Sequence, residues 1–515
     1  MPIHVVAFMK RMTRLLFSNV AMRLRRGLGV AVALGCLSTA QVSDAAAPAA
    51  AALPLTECRL QSPNVGGSVA ARCASLDVLE DRSNSSSKRV SLHVAVIPAL
   101  RTEAESDPLF IVSGGPGQAA SDFYLAMSHV FGRIRRDRDI VIVDQRGTGR
   151  SNRLDCPLPN DSDLTEADPS VVQSHTEACL ETLPGDPRFY TTSVAVEDLD
   201  AARAALQYQR INLYGISYGT RVAQHYLRRY PARVRAMVLD GVVPPTLALG
   251  PHVALEAQAA LDALFNRCSK STPCNEAFPN VRESFASLGA RLKLEPLELT
   301  INDPLTAEPL TLRFGSAELN GAVRMLTYSD ETASTLPLLI HQAQIAQRPQ
   351  ALAAQFEMVK RSMRNQLAYG MHFSVVCTED APRWEQESVS EEALRATYIG
   401  ADFMTAMRAI CEVWPKGILH EDFGRALRTA TPVLALSGEF DPITPPAYAQ
   451  GALEQFTNKK HIVLPGQGHG QLAVGCMPRL VTQFIEDASS ANLHEECLKS
   501  ISPAPFMISS SGPAP

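Results

Sequence analysis

At 515 residues with 46% apolar content, the chain exceeds a single minimal domain and can bury a large core. Its 48 basic residues against 53 acidic ones leave a net charge of −5, which argues against a nucleic-acid-binding surface.

In chain order, the first feature is a leader. Arg23-Leu24-Arg25-Arg26 precedes Gly27 to Ala40, an apolar stretch of signal-peptide length, and Ser43-Asp44-Ala45 supplies small residues for cleavage. The stretch is short for a membrane span and wrongly flanked, so no stable membrane insertion is expected. Residues 1–46 are read as a signal peptide cut near Ala45 to Ala47, with lipidation at Cys36 as the alternative. Export fits the eleven cysteines. Without Cys36 an even set remains, and its close neighbours pair as Cys58 with Cys73, Cys156 with Cys179, Cys268 with Cys274, Cys377 with Cys411, and Cys476 with Cys497.

The apolar run Leu109 to Val112 reads as a strand entering Ser113-Gly114-Gly115-Pro116-Gly117-Gln118. A second run, Ile140 to Val143, enters Asp144-Gln145-Arg146 and then Gly147-Thr148-Gly149-Arg150-Ser151. That loop lacks the lysine and spacing of a phosphate cradle, so nucleotide binding is rejected, and Asp144 and Arg146 are expected to hold the turn. Ile211 to Tyr214 is a third strand. Gly215-Ile216-Ser217-Tyr218-Gly219 follows it, then Val222, Ala223, Tyr226, Leu227 and Tyr230 at helical spacing until Pro231. Another strand, Val234 to Leu239, ends in Asp240-Gly241. Strand, tight glycine-flanked turn and helix together read as a nucleophile elbow, which lifts a weakly nucleophilic serine hydroxyl to where a base can reach it.

A long insertion follows, from about residue 245 to 428. It carries helical patterns over His252 to Arg267, Val281 to Leu294 and Leu336 to Met363, with a polar, more extended piece around Leu297 to Phe314. It is expected to be a mainly helical cap that excludes water and shapes a substrate pocket. Within it, Phe373 to Cys377 is an apolar run followed by Thr378-Glu379-Asp380; these acids are either a solvated turn or anchors for a substrate ammonium.

Beyond the insertion, Pro432 to Gly438 is an apolar strand entering Glu439-Phe440-Asp441-Pro442, and His461 to Leu464 is a strand entering Pro465-Gly466-Gln467-Gly468-His469-Gly470. Serine, acid, histidine is the chain order of one type of catalytic triad. Of the twelve histidines, His469 alone combines that order with a glycine-flanked loop after a late strand, while His461 and His494 read as structural or solvated. Asp441 is preferred over Glu439, which lies nearer its strand. In these roles His469 takes the Ser217 proton and later delivers it to the leaving group, and Asp441 fixes the imidazole tautomer. The Tyr218 N–H and the Gly115 N–H, with Gly114 as the alternative, are expected to form the oxyanion hole. No zinc-ligand spacing is present, and no metal or other cofactor is expected.

Four motif islands, Ser113-Gly114-Gly115-Pro116-Gly117, Asp144 to Ser151, the Ser217-Tyr218-Gly219 elbow, and Gly438 to Pro445 with Gly468-His469-Gly470, resemble the prolyl aminopeptidase and tripeptidyl aminopeptidase group of α/β-hydrolase serine peptidases. The resemblance spans about Leu55 to Cys497. Tyr218 fits the tripeptidyl branch, and Ser113 departs from the histidine that many relatives carry there. The resemblance implies an α/β-hydrolase fold, a mostly parallel central sheet flanked by helices. The core is expected over residues 47–244 and 429–500, the cap over 245–428, and a disordered tail over 501–515. It implies an enzyme cleaving short peptides from a free N-terminus, with Glu379 and Asp380 as amine-binding candidates, and the leader makes it an exported, periplasmic or secreted one. A carboxylesterase or lipase would use the same triad.

Overall fold

The computed structural model describes residues 52–156 and 168–513; the expected leader, including Cys36, lies outside the described residues. Nine strands form one sheet: β1 (Thr56–Leu60), β2 (Val69–Leu79), β3 (Arg89–Ile97), β4 (Leu109–Val112), β5 (Ile140–Val143), β6 (Ile211–Ile216) and β7 (Val234–Asp240), with β10 (Val433–Gly438) and β11 (Lys459–Leu464) after the insertion, which holds β8 (Leu297–Asn302) and β9 (Pro309–Phe314). The spatial order is β1-β2-β3-β5-β4-β6-β7-β10-β11. The first strands pair antiparallel up to the β3–β5 junction, and every later neighbour is parallel.

Parallel strands need crossovers, and their helices cover both faces, so these strands are apolar on both sides rather than alternating. Phe110, Leu213, Met237 and Ala435 face one core with the helices Thr192–Ala205 and Tyr218–Arg229. Ile111, Tyr214, Val238 and Leu434 face the other with Ala120–Met127 and Met477–Asp487. This arrangement brings the loops after β4, β6, β7, β10 and β11 to one edge, the edge where open α/β sheets hold their ligands.

Between β7 and β10 the chain is mainly helical and packs around its own apolar clusters. The expected helices form as Val253–Lys270 and Val281–Leu294. The pattern over Leu336 to Met363, read as one helix, is two, Leu336–Gln344 and Gln350–Gln366. Pro349 cannot sit inside a helix without losing a hydrogen bond and clashing with the preceding turn, and Gln347 turns the chain at φ 52°. The extended piece is the β8–β9 hairpin, Leu297 opposite Phe314.

The tail expected to be disordered is ordered over its described part. Phe506 is buried against the insertion's core with the Arg267 guanidinium 4.2 Å from its ring centre, Arg267 donates to the Ala504 carbonyl, and Met507 donates to Ser334. One buried aromatic outweighs the polar composition around it. The five expected disulfides all form. No helix among the described residues is long and apolar enough to cross a membrane.

Candidate active site

Ser217 sits between β6 and the helix Tyr218–Arg229 at φ 54° and ψ −127°, a conformation costly for a residue with a Cβ. The turn is held by its neighbours: Ser217 donates its N–H to the Asp240 carbonyl at 2.8 Å, and its own carbonyl accepts from Thr220 N–H and hydroxyl. Strand and helix approach so closely that a methyl on Gly215 would lie 2.5 Å from the Gly219 carbonyl oxygen, and one on Gly219 2.3 Å from that of Val112. Only glycine fits at either flank.

His469 lies on the loop after β11, and its Nδ1 is 2.8 Å from Asp441 Oδ2 on the loop after β10. The carboxylate is fully committed. Oδ1 accepts from the Ile443 and Thr444 N–H groups, and Oδ2 also accepts the Thr444 hydroxyl at 2.7 Å. Burial works to raise the Asp441 pKa, but the His469 charge and these hydrogen bonds outweigh it and hold the carboxyl below its usual range. Burial likewise works to lower His469, and the charges of Asp441 and then Asp240 raise it above its ordinary value. With Nδ1 engaged, Nε2 is the nitrogen left for a proton from serine. Ser217 and His469 are not hydrogen-bonded among the described residues, so the two side chains must close on each other for transfer.

Sequence reasoning missed three groups that set this geometry. The buried carboxylate of Asp240, at the end of β7, accepts the N–H groups of Gln471 and Leu472 and the Tyr214 hydroxyl, tying the histidine loop to the elbow strands. An acid closing an apolar strand at the catalytic edge was the available signal. Thr444 braces Asp441 as described. Tyr328, from the insertion, accepts the His469 N–H at 2.7 Å and sets its ring edge-on to the imidazole, 5.4 Å between centres; nothing local in the sequence announces it.

The glycine loop after β4 lies against the serine. A methyl on Gly114 would be 3.6 Å from Ser217 Oγ. Gly115 and Gly117 both take positive φ, Ala368 of the insertion donates to the Gly117 carbonyl at 3.0 Å, and the Ser113 hydroxyl closes the loop onto Gln118 at 2.7 Å. The Tyr218 N–H opens a helix and has no partner within it. Asp144 and Arg146 hold their turn, Asp144 by accepting from Ser121 and Arg150, and Arg146 by binding Asp198. Glu439 accepts from Gly466 and takes no part in the histidine pair.

Glu379 and Asp380 are not free to project toward a substrate. Glu379 is 1% exposed, and its two oxygens accept the Thr192 N–H at 2.6 Å and hydroxyl at 2.9 Å. Asp380, fully buried, binds Arg221 at 2.9 Å and the Leu249 N–H. The expected ammonium contact therefore gives way to an internal network, because Arg221 from the nucleophile helix and Thr192 reach these acids first. The Thr192 hydroxyl in turn contacts the Tyr218 hydroxyl, which also accepts from Gln145 Nε2. Burial is the main force raising the Glu379 carboxyl, to about 7, with the Arg221 charge opposing it.

Away from this edge, His225, His420 and Asp422 bring possible ligand atoms within 4.8 Å of one another. The two imidazoles bond to each other at 2.9 Å and Glu197 takes the other His420 nitrogen, so the pair is satisfied as a hydrogen-bonded unit.

The α/β hydrolase fold family profile matches residues 107–475. Serine protease Hip1 of Mycobacterium tuberculosis is 26% identical over 478 residues, covering 84% of this chain and 88% of its own. Tripeptidyl aminopeptidase of Streptomyces coelicolor is 29% identical over 192 residues, 34% of this chain and 36% of that protein. Carboxylesterase B of Mycobacterium tuberculosis is 33% identical over 227 residues, 40% of this chain and 43% of that protein. The profile spans the strand that feeds the glycine loop, the elbow, and both loops that carry the acid and the histidine. The chain belongs to the α/β-hydrolase fold family and is a serine hydrolase.

Proposed function

We propose that this hydrolase is an exported peptidase that removes short pieces from the free N-terminus of peptides through an acyl-enzyme on Ser217. The observation that carries the reading is the buried Asp441–His469 pair at the sheet edge that also holds the strained serine elbow. In this reading Ser217 Oγ attacks the scissile carbonyl carbon while its proton passes to His469 Nε2. The oxyanion is received by the N–H groups of Tyr218 and Gly115, and Asp441 stabilises the imidazolium. His469 then protonates the departing amine. A water that gives a proton to His469 attacks the acyl carbon, and His469 passes that proton to Ser217 Oγ as the acid product leaves.

The peptidase class is supported by a relative named serine protease that aligns along most of the chain, and the exopeptidase reading by one named tripeptidyl aminopeptidase over a shorter span. Export is supported by the five disulfides, which persist in oxidising compartments. A panel of aminoacyl, dipeptidyl and tripeptidyl chromogenic amides, each with and without an N-acetyl block, tests the proposal beside a short-chain ester. Free-amine amides are expected to turn over, blocked ones poorly, and Ser217→Ala to lose about 10⁶-fold in kcat. Equal turnover of blocked and free amides would defeat the exopeptidase reading, and activity on the ester alone would leave a carboxylesterase.

A further inference from the structure

Arg324 stands on the helix Ser316–Leu326 of the insertion, four residues before Tyr328, whose carbonyl and ring hold His469. Asn320, one turn earlier on the same helix, donates to the Tyr398 carbonyl at 2.6 Å and fixes that tyrosine beside it. The Phe403 ring lies under the guanidinium, 5.8 Å from its centre. On the other side is His372, whose Nδ1 is 3.2 Å from the Pro116 carbonyl in the oxyanion loop. Burial first and then the Arg324 charge push that imidazole down to about 4. Arg324 thus lies four residues from the tyrosine that holds His469, and its charge reaches the imidazole bonded to the glycine loop.

Its bonding is incomplete. Among the described residues Arg324 makes no ion pair or side-chain hydrogen bond; its Nε is buried without a partner, and so is the Tyr398 hydroxyl. An unpartnered Nε is shared with Arg221, but Arg221 meets Glu379 and Asp380, as Arg361 meets Asp303, whereas Arg324 meets no carboxylate among the described residues. Arg324 is half-buried with its Nε unpartnered, and its charge acts on the buried, unpartnered Tyr398 hydroxyl; a planar carboxylate is the group whose geometry suits both donors.

We propose that Arg324, assisted by the Tyr398 hydroxyl, binds a carboxylate of the substrate, so that the enzyme prefers anionic short peptides. The proposal rests on the peptidase reading and names its substrate class. The carboxylate has two sources, the C-terminus of a short peptide or an acidic side chain. Two matched substrate pairs separate them: a tetrapeptide as free acid against its C-terminal amide, and the same amide with Glu against Gln at one position. A third pair, the p-nitrophenyl half-ester of glutaric acid against p-nitrophenyl butyrate, reads the same preference without a peptide bond.

Wild type is expected to favour the anionic member of at least one pair by about 10- to 100-fold in kcat/KM, carried in KM. Arg324→Met is expected to bring that ratio close to one, and Arg324→Lys to restore part of it. A thermal melt confirms that both variants fold. Wild-type ratios near one in all three pairs would overturn the proposal, as would a ratio unchanged in Arg324→Met. Should the half-ester pair alone be hydrolysed, the peptidase reading fails while the carboxylate preference is still read from that pair.

Discussion

Replacing Glu379 by Gln separates an internal role from the substrate-anchoring role that its sequence position suggested. The Thr192 hydroxyl has a single proton, and it goes to Glu379 Oε2. The Tyr218 hydroxyl must therefore donate to Thr192 at 2.6 Å, and Gln145 Nε2 donates to Tyr218 at 3.2 Å. The chain of donors runs one way and ends on the carboxylate. With Gln at 379 the amide oxygen keeps the Thr192 N–H, and its NH₂ meets the Thr192 hydroxyl. Thr192 must then turn its proton to Tyr218, whose own proton is orphaned unless Gln145 turns its amide over. An orphaned buried hydroxyl costs about 1–3 kcal/mol, roughly 5- to 150-fold if it is expressed as misplacement of the Tyr218 oxyanion donor.

Protonating Glu379 has the same consequence as the amide. The kcat deficit of Glu379→Gln should therefore be full at pH 8 and shrink below about 7, where the wild-type carboxyl takes up its proton. Stability runs the other way. The folded pKa lies above the ordinary 4.5 of a glutamate, so the linkage present below that value is lost as pH rises through 7. The loss is roughly 3 kcal/mol at about 1.4 kcal/mol per unit, and Glu379→Gln should not show it. The assay is kcat and KM on one amide with free and acetylated N-terminus from pH 5.5 to 8.5, with thermal melts alongside. A rise in KM confined to free-amine substrates, with kcat intact, would refute the reasoning and return Glu379 to the ammonium.

Asp441→Asn should lower kcat/KM about 10⁴-fold, because the amide donates to His469 Nδ1 and fixes the wrong tautomer, while Glu439→Gln should stay near wild type; the reverse order of losses would exchange their roles. The wild-type acid limb of activity should fall above pH 6.5, since Asp441 raises His469, and a pH profile of the residual activity of Asp441→Asn should show it moved to lower pH. Thr444→Val removes one donor from Asp441 and should cost about 1–2 kcal/mol of stability or activation, read by melting and steady-state kinetics. Phe506→Ala should destabilise by about 2–4 kcal/mol through its buried ring and its contact with Arg267, seen as a lower denaturation midpoint at unchanged slope.

The strands, the elbow and the two late loops were legible because each is written locally: an apolar run of strand length, then glycines and one chemically distinctive residue. Chain order singled out Asp441 and His469, which the fold brings into contact, and Ser217 at the same sheet edge. What could not be read depends on partners far along the chain. The fate of Glu379 is set by Thr192 and Arg221, which meet it only when the nucleophile helix packs on the insertion. The same holds for Tyr328 on His469. The two misjudged elements had local causes. Apolar spacing continues across Pro349 and hides the helix break, and the polar tail conceals the one ring, Phe506, that anchors it.

The insertion braces the proposed catalytic geometry directly. It gives the Tyr328 carbonyl to the His469 N–H and the Ala368 N–H to the Gly117 carbonyl, so it touches the proposed base and the proposed oxyanion loop through backbone that no side-chain substitution removes. A core stripped of residues 245–428 would therefore lose the contacts that hold the His469 backbone and the glycine loop, and its buried Arg221 would lose both acids. Substrate preference and catalytic rate should consequently be coupled wherever a change shifts the backbone of the helix Ser316–Leu326, which leads into the turn that holds the imidazole. Variants selected for new substrates should gather at Arg324 and its surroundings, where a side chain can change without disturbing Tyr328, rather than in the turn itself.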